Sequence, residues 1–190
     1  MQSTKKSHLE QKNMATIKFK RIDLANSGQA VKFGFLQSEA TREGEVVEKN
    51  YKMVTVDKGP HDDFANTFIK MVPHLLYSMQ LAKAKILRPE WFDEYKFLDD
   101  ERFENVTVTG IDIIDKEDVL KIRLYGRKTT DNGDVCALNS PWIDLYDGGP
   151  ERYILQAVLA DNYRVLIQEA DQYWNKQKYA PNPQQVLELI

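Results

Sequence analysis

The stretch IKFKRIDL, residues 17–24, recurs in similar form as VTVTGIDI, residues 106–113. The offset of 89 residues holds without a gap from Ile17 to Val56, and 7 of these 40 positions are identical to their counterparts. Both copies continue with a second alternating run, a glycine-containing turn, a third extended run, Asp-x-Gly-Pro and a long helical pattern. This shared order predicts two βββα units that arose by duplication. Two similar units of independent origin are the alternative.

The predicted fold is α+β, with six strands in an antiparallel sheet and two long helices packed on one side of it. The helices are expected at 60–85, with a kink at Pro73, and at 150–178, because apolar residues recur there at helical spacing. We expect one domain with these parts: a flexible tail (1–14), a first βββα half (15–85), an aromatic connector containing a short packed helix (86–105), a second half (106–178) and a C-terminal tail (179–190).

The composition excludes several classes of protein. The 190 residues carry a formal charge of −3, which argues against a globally basic nucleic-acid or membrane-surface protein. No apolar run approaches the ~20 residues of a membrane span, and residues 1–14 lack the apolar region of a secretory signal. The single cysteine, Cys136, excludes an intramolecular disulfide and a cysteine metal cage, and its place in a predicted strand indicates a buried thiol. We therefore expect a cytoplasmic protein.

The sequence contains no motif of a catalytic or metal-binding site. The histidines, His8, His61 and His74, are not spaced as zinc ligands, and no Walker loop or Gly-x-Ser-x-Gly stretch is present. Aspartates near the two Asp-x-Gly-Pro corners could gather around a hydrated Mg²⁺ ion, but nothing in their spacing requires it. The prediction is a protein without catalytic residues, metal or cofactor.

Period-two alternation assigns the side chains of the strands to two faces. The inward set is Ile17, Phe19, Val31, Phe33, Phe35, Leu120, Ile122 and Leu124. The outward set is predicted to be basic and to contain no acids from the same strands. Its basic residues are Lys18, Lys20, Lys32, Lys52, Lys121 and Arg123. Tyr125 is predicted to add one aromatic stacking surface to this face. A basic face on an acidic protein suits a polyanion. A lysine-rich face that serves only solubility is the alternative.

The motifs VTVTGI (106–111), YGRK (125–128), NG (132–133) and ALNSP (137–141) follow one another in the second half. With them, residues 106–145 resemble small uncharacterised proteins encoded by tailed bacteriophages. The repeated strand and helix layout is also similar to that of the Whirly-type single-stranded-DNA-binding proteins. Those proteins have four strands before each helix and this chain has three, and the likeness assigns no individual binding residue.

Together these observations predict a non-catalytic protein that binds single-stranded DNA in a phage or phage-derived setting. A virion or other protein-interaction component is the alternative, and an inhibitor of a host defence system is a third. Residues 184–190, with four apolar residues among their last five, follow a Pro-x-Pro spacer and predict docking onto a partner or a second copy, or back onto the domain itself. The expected location is the host cytoplasm, or the virion under the alternative.

Overall fold

The computed structural model describes residues 16–40, 46–82, 96–146 and 155–180. The strands are β1 (Thr16–Ala25), β2 (Ala30–Ala40), β3 (Val46–Val56), β4 (Val106–Lys116), β5 (Val119–Thr129), β6 (Val135–Asn139) and β7 (Ile143–Asp144). The helices are α1 (Asp62–Lys70), α2 (Val72–Ser78) and α3 (Gln156–Lys176), with short 3-10 helices at Asn26–Gly28 and Lys96–Asp99. The predicted α+β class is confirmed. The predictions for residues 1–14 and 184–190 lie outside the described residues.

All seven strands belong to one antiparallel sheet. Their spatial order is β3-β2-β1-β4-β5-β6, and β7 pairs with β5 beyond the end of β6. Each half of the chain therefore forms a meander, and the two first strands, β1 and β4, join the meanders at the centre. Three residue pairs make this join: Arg21 with Asp112, Ile22 with Ile111, and Asp23 with Gly110.

The helical segment after the first meander is divided. The sequence predicts one kinked helix over 60–85, and the structure has α1 and α2 with a break at Met71. Pro73 lies in the first turn of α2, where its missing N–H is harmless, but it cannot continue the hydrogen bonding of α1. In the second half, α3 is a single helix of 21 residues that ends at Lys176 and is followed by Gln177, whose φ is 53°. Residues 147–154, directly before Leu155, lie outside the described ranges.

The core lies between one face of the sheet and the helices. Phe33 of β2 is fully buried, and its ring packs against those of Phe64 in α1 and of Tyr173 and Trp174 in α3, at centroid distances of 5.5–6.5 Å. All the residues predicted to point inward are buried except Ile17, which is partly buried against the same core. The described end of the connector contributes Phe97, which is also fully buried.

The third strand of the second half is interrupted between β6 and β7. Pro141 has no N–H to donate to the ladder. Ser140 bridges the gap, because its N–H donates to the Leu124 carbonyl at 2.9 Å and its Oγ accepts the Leu124 N–H at 2.9 Å. The hydroxyl therefore replaces a backbone acceptor, and the strand resumes at Ile143 opposite Ile122.

The free cysteine does not have the predicted environment. Cys136 is exposed, although a strand position in this apolar sequence indicated a buried thiol. It lies in β6, which pairs with β5 alone and so forms an edge of the sheet in the described chain. Burial depends on what covers an edge strand, which the strand's own sequence does not determine.

Candidate nucleic-acid interface

The three described α-helices pack on one face of the sheet, and the opposite face is called here the uncovered face because no described helix lies on it. Four of the residues that were predicted to point outward lie on this face, and their cross-strand partners show it. Lys32 pairs with Asp23 and Thr55, and Tyr125 pairs with Gly110. The other two are Arg123 and Lys121, which are opposite Asp112 and Asp144 respectively. Since directly opposed residues share a face, the uncovered face holds all four.

The side chains of Lys18 and Lys20 extend into the space between β1 and β4, where the two strands are not paired. The two strands stay paired only over three residue pairs, and Lys20 occupies a β-bulge between Phe19 and Arg21. Lys18 Nζ is 2.8 Å from Asp115 Oδ2, and Lys20 Nζ donates to the Asp115 carbonyl at 3.1 Å. Both ammonium groups are therefore engaged by Asp115, which is opposite the buried Leu120 and so belongs to the face on which the helices lie.

Lys52 is on the other face, contrary to the prediction. It pairs with Phe35, whose side chain is in the core, so the two side chains share the face on which the helices lie. Its Nζ donates to Gln37 Oε1 at 2.6 Å. The pairing of β3 with β2 is regular from the Val31–Val56 pair to the Ser38–Lys49 pair, so Lys52 shares its face with Val54 and Val56 of its own strand, which pack against the core.

The uncovered face also contains acids, whereas the sequence predicted none among its strands. The bulge at Lys20 shifts the phase of alternation by one residue, so Ile22 points into the core and Asp23 points outward. Asp112 lies outward on β4, and Asp144 on β7 is 3.5 Å from Lys121 Nζ. The face is therefore a mixed surface of both charge signs rather than a uniformly basic one.

Arg21 lies at the centre of the uncovered face and is a residue that the prediction missed. Its Nε donates to Asp23 Oδ2 at 2.6 Å, its Nη1 is 3.4 Å from Asp112 Oδ1, and its guanidinium lies over the Tyr125 ring at 5.1 Å. The hydrogen bond from Arg21 to Asp23 raises the pKa of the guanidinium. Burial and the bond to Asp112 raise the pKa of Tyr125, so the phenol stays protonated and donates to Asp112.

A second arginine and an aromatic ring pair nearby. The Arg123 guanidinium lies over the Trp142 ring, 4.4 Å from its centroid. Trp142 is 36% exposed and follows Pro141 in the interruption between β6 and β7. The sequence offered one signal for this ring, a tryptophan beside a proline at the end of a strand, but the contact depends on the irregular turn there.

Two cations near this group have no ion-pair partner in the described chain. Lys32 is exposed, and the carboxylate across from it, Asp23, is bonded to Arg21. Arg127 is exposed in β5 opposite Thr107 and was not among the predicted residues. These two side chains are the ones best placed to meet an external anion.

Tyr51 and Met53 of β3 form an exposed apolar group at one side of the same face. They are 54% and 40% exposed, and the Tyr51 hydroxyl is 2.8 Å from the Met53 sulfur. Both cross over Gly34, where an added Cβ would meet the Tyr51 hydroxyl. A glycine is needed there so that these side chains can lie flat on the sheet.

Within the described ranges, one group of potential metal ligands lies away from this face. His61, Asp63 and Glu169 come together where α1 begins, with ligand atoms within 4.8 Å of one another. The sequence did not reveal this group, because Glu169 comes from the other end of the chain.

Comparison of the chain with protein-family models, with curated proteins and with solved structures finds no match. Among the described residues, no helix has the length and apolar character needed to span a membrane.

Proposed function

We propose that the uncovered face binds single-stranded nucleic acid without catalysis. The observation that carries the proposal is the pair of arginine–aromatic contacts, Arg123 with Trp142 at 4.4 Å and Arg21 with Tyr125 at 5.1 Å, on a sheet face without a described cover. Aromatic rings and arginine planes on an open sheet are the surfaces on which unpaired bases stack.

The remaining charges support a single strand rather than a duplex. Lys32 and Arg127 can neutralise phosphates, and Lys121 can do so after release from Asp144. The carboxylates of Asp23 and Asp112 lie between these cations, where they would repel a continuous row of phosphates. They can instead accept hydrogen bonds from base amino groups, which a single strand leaves accessible. Lys18 and Lys20 contribute less, because Asp115 already engages them.

The experiment is fluorescence anisotropy with a labelled oligo-dT strand and its duplex form. Removing the ring with Trp142→Ala should weaken binding to the single strand by roughly 1–3 kcal/mol. Lys32→Glu should also weaken it and reduce the salt dependence by about one phosphate contact. Lys52→Glu is the matched control, because it makes the same charge change on the opposite face and should leave affinity unchanged. Absence of binding, or equal losses in Lys32→Glu and Lys52→Glu, would reject the proposal.

A protein partner on the same face is the second candidate. It is favoured by the exposed Tyr51 and Met53 beside the arginines, because interfaces are enriched in tyrosine, methionine, tryptophan and arginine. A virion component or an inhibitor of a host defence system would use the face in this way. Under this candidate, Tyr51→Ala would abolish partner binding, and oligonucleotides would not compete with the partner.

We infer that the chain arose by duplication of a βββα unit in a phage or phage-derived gene. Three observations support the duplication. The order of the strands is mirrored about the β1–β4 join, and Ile22 pairs with Ile111, its counterpart at the offset of 89. The bulges at Lys20 and Thr109 also occupy equivalent positions. The β1–β2 hairpin and the β4–β5 hairpin differ in pairing register by two residues. The gapless sequence match at the offset of 89 therefore does not extend to which residues pair across the strands.

A further inference from the structure

A compact charged cluster joins the start of α1 to the end of α3. His61 immediately precedes α1, Asp63 lies in its first turn, and Glu169 is on α3. Lys178, just beyond α3, places its Nζ 2.9 Å from Asp63 Oδ2 and 3.2 Å from Glu169 Oε2. The ammonium group therefore lies between two carboxylates, which is the position of a bound cation.

The imidazole of His61 is directed into this cluster. Its side chain is only 9% exposed, and Nε2 is 3.2 Å from Glu169 Oε2. That contact lacks the alignment of a hydrogen bond, so Nε2 is a buried nitrogen without a hydrogen-bond partner. Burial lowers the pKa of His61, and the charge of Lys178 lowers it further, which favours the neutral ring. A neutral imidazole nitrogen beside carboxylate oxygens is a donor set for a metal ion.

The surrounding backbone holds the cluster in place. The Tyr173 hydroxyl donates to the Lys58 carbonyl at 2.5 Å, and the Ala180 N–H donates to the Gly59 carbonyl at 3.0 Å. These bonds fix the segment before His61 against the end of α3, and Tyr173 is fully buried. Two of the three ligands, His61 and Glu169, are therefore preorganised, while Asp63 is 68% exposed and can adjust.

We propose that His61, Asp63 and Glu169 bind a divalent first-row transition metal, with Zn²⁺ the best match, in the position that the Lys178 ammonium group occupies. Imidazole suits this group of metals, and the two carboxylates supply the charge. The three ligand atoms lie within 4.8 Å of one another. Bonds of ~2.0–2.2 Å require them to move somewhat closer together, which Asp63 can achieve. Lys178 is 38% exposed and can leave towards solvent, so that a fourth position is open to water or an external ligand.

The test is calorimetric titration of the full chain with Zn²⁺. The background carries Cys136→Ser and His8→Ala, which remove an exposed thiol and an N-terminal imidazole as competing ligands. One Zn²⁺ ion per chain is expected. Glu169→Gln keeps the shape of the side chain and should weaken binding by about tenfold or more. Lys178→Met removes the competing ammonium group and should tighten binding by about tenfold.

A control variant and a melting-temperature measurement separate binding at this cluster from binding elsewhere on the chain. Asp161→Asn removes an exposed acid on α3 that pairs with Arg164, and it should bind Zn²⁺ like the parent. Zn²⁺ should raise the melting temperature of the parent and leave that of Glu169→Gln nearly unchanged, because a ligand stabilises only a fold that binds it. A parent chain without one-to-one binding would overturn the proposal. So would equal affinity in Glu169→Gln and Asp161→Asn.

Discussion

Ile22 lies directly opposite Ile111 where β1 and β4 pair at the centre of the sheet. The two residues are also 89 positions apart, which is the offset that relates the two similar segments of the sequence. Because the paired residues are counterparts, the local twofold axis that would relate the halves passes between them. A single βββα unit pairing through its first strand with a second copy would make the same contact.

The first prediction concerns this central pair. Ile22 and Ile111 are 0% and 1% exposed, so Ile→Val at either should cost about 0.5–1.5 kcal/mol of unfolding free energy. The double variant should deviate from additivity, because directly opposed side chains are in contact. Urea denaturation measures both effects. Ile114→Val is the control on the outward side of β4 and should change stability by less than about 0.5 kcal/mol; an equal loss there would contradict the assignment of faces.

The second prediction concerns Gly126 in β5. A Cβ added there would lie 2.6 Å from the Thr107 carbonyl oxygen and 2.5 Å from a methyl group of Leu75 in α2. Neither the backbone nor a buried leucine can yield easily, so Gly126→Ala should destabilise the fold by about 1–3 kcal/mol, measured by thermal denaturation. Gly34→Ala is the matched control, because the added methyl meets the exposed ends of Tyr51 and Met53, which can rotate away. A larger loss at Gly34 would show that the uncovered face is the more rigid one.

The sequence predicted the parts of this molecule that depend on local periodicity. Alternation identified the buried side chains of β2 and β5, and helical spacing predicted the helical segment that contains α1 and α2. Alternation assigned the wrong face where one extra residue in a strand shifts the alternating pattern. The bulge at Lys20 turned Arg21 and Asp23 outward, and so the centre of the uncovered face was not foreseen.

Other features depend on contacts between distant parts of the chain. The ring of Trp142 reaches Arg123 only because the strand is interrupted at Pro141. His61 and Glu169 meet through the packing of α1 on α3. No local pattern in a single sequence encodes these two relationships.

The third prediction concerns Ser140. Its Oγ accepts the buried Leu124 N–H and donates to the Pro141 carbonyl at 2.7 Å. Ser140→Ala leaves that N–H without an acceptor, which should cost about 1–3 kcal/mol in denaturant unfolding. Ser78→Ala is the control: its hydroxyl donates only to the Leu75 carbonyl in α2, and its removal should cost less. If both variants lose the same stability, the hydroxyl is not what continues the sheet.

The last prediction concerns His74 and the dependence of stability on pH. The imidazole is fully buried in α2, and burial lowers its pKa from 6.5 to about 3. The Asn162 Nδ2 lies 3.4 Å from Nε2, where the amide can donate to a neutral ring. Between pH 6.5 and about 3 the unfolded chain therefore binds a proton that the folded chain does not. Stability rises with pH across this window and is lost as the pH falls.

The expected loss from this one group is about 1.4 kcal/mol per pH unit below 6.5. Urea denaturation between pH 6.5 and 5 measures this loss of unfolding free energy. This pH range lies above the one in which most carboxylates titrate, so their contribution is small. His74→Gln should flatten this dependence even if the variant is less stable throughout, because glutamine does not titrate. A small slope of the same sign should remain, since the pKa of His61 is also lowered. A parent protein equally stable at pH 5 and 6.5 would show that the His74 ring becomes protonated in the folded state, and that the helix around it opens to water.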